Sequence, residues 1–91
     1  MHDYKHDDKL KQIEAKLNAL TSENLKLEFL ENLLKQNIDD EVRVYAHIKL
    51  AELYKARNWL MLASNHLGSA AELARKEKEK TELYARQGEL L

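Results

Sequence analysis

Few side chains in this 91-residue chain could do chemistry, and its four histidines come first. His47 and His66 lie on two stretches of helical spacing that read as a packed pair. Facing one another, their imidazoles would offer two nitrogens to a metal ion or a relayed proton. His2 and His6 stand at i,i+4 beside Asp3 and Asp7, a spacing that chelates a transition metal when something holds the rings rigid. No second shell is visible there to orient them, so they read as part of a solvated leader. Ser64 and His66 are two apart on one helix and point in different directions, which makes no nucleophile–base pair. Asp39, Asp40 and Glu41 form a carboxylate triplet, but adjacent helical residues diverge. The triplet therefore reads as the acidic opening of a helix, where negative charge meets the positive end of the dipole. No Gly-rich phosphate loop, His-Glu-x-x-His or dinucleotide fingerprint occurs. The sequence thus reads as no enzyme, with no cofactor and no metal ligand set.

Composition narrows the class further. Proline and cysteine are absent, glycine occurs only at 68 and 88, and Leu, Ala, Glu and Lys dominate, so the expected fold is all-α. The lack of cysteine removes thiolate chemistry and disulfides and fits a reducing compartment. Fifteen basic and sixteen acidic residues interleave to a net charge of −1, which gives no field to gather nucleic acid or an anionic membrane. No apolar run approaches the roughly 20 residues of a membrane span, and a cytoplasmic location is the expectation.

The elements that would position the histidines follow from periodicity. Residues 1–8 read as a disordered leader and 9–91 as a single helical domain. Leu10, Ile13, Leu17 and Leu20 form the stripe of a first helix. Thr21, Ser22 and Asn24 interrupt it, with Ser22 the N-cap of a second helix that carries Leu25 to Leu34. A third helix, Glu41 to Ala56, is apolar nearly all round and should be central. A fourth begins at Trp59 behind Asn58 as N-cap, and Gly68 within it implies a close contact with another helix. The charged run Arg75 to Lys80 is expected to hold a turn, and a fifth helix runs from about Glu79 to the end.

Within residues 44–77 the spacing Leu50, Ala51, Tyr54, Ala63, Leu67, Ala70 resembles the tetratricopeptide repeat. That repeat has Trp, Leu-Gly and Tyr on its first helix and Ala, an aromatic, Ala and Pro on its second, over about 34 residues. His47 stands at the Trp position and Arg75 at the Pro, while Asn58-Trp59 occupies the turn where the family has Gly and an aromatic. Residues 54–59 (Tyr-Lys-Ala-Arg-Asn-Trp) and 70–73 (Ala-Ala-Glu-Leu) are also similar to the repeats of soluble NSF attachment proteins. An offset of 34 sets Leu17, Phe29 and Leu33 opposite Ala51, Ala63 and Leu67, as in a degenerate first repeat.

The resemblance implies antiparallel helical hairpins stacked as a short array of about five helices, binding a peptide or helix of a partner protein. Carried over by position, the concave face would present Tyr45, Ile48, Glu52, Lys55 and Ala56. His47, at the Trp position, would be a packed core or groove residue. Leu50, Tyr54, Ala63, Leu67 and Ala70 should share one buried cluster. The alternative is a structural helical protein that associates with itself. Its edge would be Leu83, Tyr84, Leu90 and Leu91, since repeat arrays normally finish in a helix with a polar outer face. A protein or peptide partner is therefore expected, a homodimer is the other candidate, and nucleic acid and membrane are not.

Overall fold

Turn residues decide where this chain stops being helical. A computed structural model describes residues 4–74 and 76–90, and of residues 4–8 the backbone alone. Five helices follow one another: α1 (Tyr4–Ala19), α2 (Glu23–Leu34), α3 (Asp40–Ala56), α4 (Leu60–Leu73) and α5 (Glu77–Leu90). Among the described residues there is no strand, and the protein is an all-α array. α1 begins at Tyr4, inside the segment assigned to a leader, so the helix is six residues longer at its start than the stripe from Leu10 implied. Residues 1–3 lie outside the described residues, and with them His2.

Ser22 caps α2 as its sequence suggests, its hydroxyl accepting from the Asn24 N–H at 3.1 Å. The far end of α2 is closed by Arg43 of α3, whose guanidinium donates to the carbonyls of Leu34 and Gln36 at 3.1 Å each. Those acceptors have no partner within their own helix, so a side chain from the next element supplies one.

The α3–α4 turn differs from expectation. Asn58 is not the N-cap of α4; it ends α3, with φ at 63°. Asn58 N–H donates to the Lys55 carbonyl and Trp59 N–H to the Tyr54 carbonyl, both at 2.9 Å. This is the paired bonding of a Schellman ending, in which Gly or Asn takes the left-handed position and an apolar contact closes the turn. The contact here is Trp59 stacked on Tyr54, ring centroids 5.8 Å apart. α4 ends at Leu73, Ala74 turns extended (ψ 133°), and α5 starts at Glu77, two residues before the expected Glu79.

Burial separates into two cores. Ile13 and Leu17 from α1, Leu27, Leu30 and Leu33 from α2, and Val42, Ala46 and Leu50 from α3 make the first. Val44 and Ala51 from α3, Ala63, Leu67, Ala70 and Ala71 from α4, Ala74, and Leu83 from α5 make the second. The single cluster expected from the sequence is therefore divided. Leu50 belongs to the first core, Ala63, Leu67 and Ala70 to the second, and Tyr54 packs against both. The reason is helical geometry: successive residues are about 100° apart, so Leu50 and Ala51 point into different sectors of α3, one towards each core.

α5 also corrects the proposed self-association edge. Leu83 is 2% exposed and belongs to the second core, Leu90 packs partly against it, and Tyr84 remains exposed. The alanines of α4 have side chains small enough to let a leucine of the next helix settle among them, so Leu83 is satisfied within the chain. Leu91 lies outside the described residues. Gly68 does mark a close approach, though to a side chain: a Cβ there would come within 2.7 Å of Gln87 Nε2.

Leu67 tests the pairing of α3 with α4. Leu67→Ala should cost about 2–5 kcal/mol, the range for truncating a buried leucine. A loss under about 1 kcal/mol in urea denaturation would mean the second core is not consolidated as described.

Candidate functional site

One face of α3 lies open beside its two neighbours. A cavity of about 340 Å³ is lined by Leu10 of α1, Asp40, Glu41, Val44, Tyr45 and Ile48 of α3, Leu73 and Ala74 at the end of α4, and Lys76 and Glu79. A smaller one, about 90 Å³, continues past Ile48 and is lined by Ala51, Glu52, Lys55, Leu67, Arg86, Glu89 and Leu90. Ile48 lines both, so the two adjoin there and follow one another as a divided groove along α3 from Asp40 to Lys55. At 1.5 Å per residue that is about 22 Å long.

Four of the five concave-face residues lie in it. Tyr45, Ile48, Glu52 and Lys55 recur at intervals of three and four, the stripe that keeps one helix face aimed in one direction. Ala56, the last residue of α3, is exposed and lines neither cavity. Sequence reasoning missed the opposite walls, Leu10, Glu79, Arg86 and Glu89, because periodicity fixes which face of a helix is apolar but not which helix lies across from it. Leu90, assigned to an outer edge, is instead a wall of the groove.

Electrostatics differ along its length. At the Asp40 end three carboxylates, of Asp40, Glu41 and Glu79, accompany one ammonium, Lys76. At the Lys55 end two acids, Glu52 and Glu89, alternate with two bases, Lys55 and Arg86. Tyr45 sits between these surroundings with a buried hydroxyl that has no hydrogen-bond partner. Burial raises its pKa, and the charges of Glu14 and Glu52 add to the shift. Lys49 lies 5.6 Å over its ring, a cation–π distance.

A second arrangement joins α3, α4 and α2. His47 and His66 do face one another, their Nδ1 atoms 2.9 Å apart. His66 stacks on Tyr54 at 5.6 Å, which stacks in turn on Trp59. Glu31 of α2 closes the group, with Oε1 3.7 Å from His66 Nε2 and 3.5 Å from the donating Tyr54 hydroxyl. Nothing in the spacing of Glu31 distinguishes it from any other exposed helical glutamate. Ser64 is buried beside this pair in sequence and plays no part in it. Among the described residues no three His, Cys, Asp or Glu side chains converge on a metal-sized volume, and no helix is long and apolar enough to cross a membrane.

No protein family, curated protein or solved structure matches this chain.

Both imidazoles are poor bases. Burial, the nearby His66 and Arg43 push His47 from 6.5 down to about 4. Burial also lowers His66, against an opposing pull from Glu31. A histidine neutral in the fold but titrating near 6.5 when unfolded means the unfolded chain binds more protons below that pH. Stability should therefore be level above about pH 6.5 and fall as pH drops towards 4. For His47 the upper bound is about 2 kcal/mol between pH 7 and 4.5, reduced by its partial solvent contact. Urea melts across this range should show the fall, and His47→Gln should flatten it; an unchanged slope would remove the pair from the linkage.

Proposed function

We propose that this chain is a protein-interaction module of tetratricopeptide type, whose groove along α3 receives an extended segment or a helix of a partner protein. The observation that carries this reading is the alignment of Tyr45, Ile48, Glu52 and Lys55 along two cavities that adjoin on one face of α3. Its walls come from α1, α3 and α5, with Leu67 and Leu73 of α4 and the following Ala74 between them. In a repeat array the first helix of each hairpin lines the concave side, and that is the layout the resemblance leads one to expect. The length suits about four turns of helix or six to seven extended residues. Aliphatic walls would hold an apolar anchor at Ile48.

A displayed peptide library selected on the purified chain tests this. Ligands should carry aliphatic anchors, and Glu52→Lys with Lys55→Glu should weaken them at least tenfold without loss of stability. Peptides ending in clustered acids should not bind. Ligands unaffected by those exchanges but lost on Met61→Glu would place recognition elsewhere.

One observation favours a second reading, a structural protein that pairs with its own copy. Trp59, Leu60, Met61 and Leu62 form a run of consecutive, exposed apolar residues, Met61 at 74%. Contiguous exposed apolar surface usually marks an interface. Sedimentation across a micromolar concentration range decides between the two. A dimer dispersed by Met61→Glu would support this reading, and a monomer throughout would exclude it.

A further inference from the structure

The exposed run at the start of α4 is a cap and not a stripe. Leu60, Met61 and Leu62 follow one another at about 100° intervals, so they spread over more than half the circumference of the helix. All three are exposed, Met61 most of all, and Trp59 is half exposed just before them. One turn further on the apolar surface stops. Ala63 and Ser64 are buried in the chain, and Asn65 meets solvent with a polar side chain. A helix of another protein, or of a second copy, packs along positions three and four apart, and here those positions are closed or polar. The exposed apolar surface is therefore about one helical pitch deep, roughly 5.4 Å, and faces several ways at once.

A bilayer surface covers such a tip, because lipids close round it from every side. Helices in the membrane interface bury apolar side chains about 5–10 Å into the boundary between headgroups and acyl chains, which matches the depth available here. Trp is enriched at that boundary, with an apolar ring and an indole N–H that meets the headgroups. The local charges agree. No acidic residue lies between Glu52 and Glu72 in the sequence, while Lys55 and Arg57 precede Trp59. Glu23 of α2 offsets part of this by pairing with Arg57 at 3.4 Å, but Lys55 is exposed. A net charge of −1 supplies no long-range pull, so attachment rests on the apolar tip and the two bases act at contact.

We propose that the α3–α4 turn docks on a lipid bilayer, with Trp59, Leu60, Met61 and Leu62 inserted one helical turn deep and Lys55 and Arg57 level with the phosphates. The contact lies in the interface and spans nothing. It is independent of the groove and competes with self-pairing for the same side chains.

The test uses the full chain and phosphatidylcholine vesicles, with and without phosphatidylserine. The chain should co-sediment with both, more tightly with the anionic lipid. Met61→Glu should weaken both about tenfold or more at unchanged helicity, because that side chain is 74% exposed in the fold. A nitroxide on the upper acyl chain should broaden the Met61 and Leu62 methyl resonances and spare those of Leu30 and Leu50, which are wholly buried. Should Met61→Glu lose helicity, that broadening in the unaltered chain decides. No sedimentation with either vesicle, retention on phosphatidylserine alone, unaltered binding by a folded Met61→Glu chain, or broadening that spares Met61 and Leu62 would each overturn the proposal. A dimer dispersed by Met61→Glu and unaffected by added vesicles would also overturn it, and would assign the tip to a second copy.

Discussion

Everything in this structure depends on α3 being buried from two sides at once. Val42, Ala46 and Leu50 follow one another at four-residue intervals and are wholly excluded from solvent in the first core. Val44 and Ala51, turned away from that line, belong to the second. A helix that serves two cores cannot keep a polar half, so its remaining polar side chains crowd into the narrow sectors between them. One sector carries Tyr45, Glu52 and Lys55 and borders the groove. Another carries His47, which meets His66 across the α3–α4 contact.

This sharing also explains why a chain with so few residues can order five helices. Small domains bury proportionately less surface, and neither core is large. With α3 as a common wall, loss of either core exposes the opposite flank of the same helix, which couples the two energetically. Arg57 adds a polar tie between neighbouring helices, reaching from the end of α3 to Glu23 and Asn24 at the start of α2. Its exposed partners limit what it can contribute, as surface ion pairs are worth about 0–1 kcal/mol.

How much of this was legible beforehand depended on whether one helix or two were involved. The Ser22 cap, the central place of α3 and the close approach at Gly68 are encoded locally, in residue type and position. That Tyr45, Ile48, Glu52 and Lys55 share one face of α3 follows from their spacing in the same way. The stripe of Leu83 is plain in the sequence but the helix that receives it is not, and the alanines of α4 accept it. Glu31 gave no signal, since its role exists only once α2 is set against α4. Asn58 has the residue type of a helix opening but closes one, with φ at 63°. Asn is a reasonable choice for both tasks, and only the sign of φ separates them.

Trp59 gives the α3–α4 turn an optical consequence. It is the only indole in the chain, half exposed, stacked on Tyr54 and with the Arg57 guanidinium 5.6 Å from its ring. Its emission thus originates at the Schellman ending of α3 rather than inside either core. If that turn frays before the cores separate, the fluorescence change will precede the loss of helical ellipticity. An observer following Trp59 alone would then date the opening of one hairpin and mistake it for the unfolding of the whole.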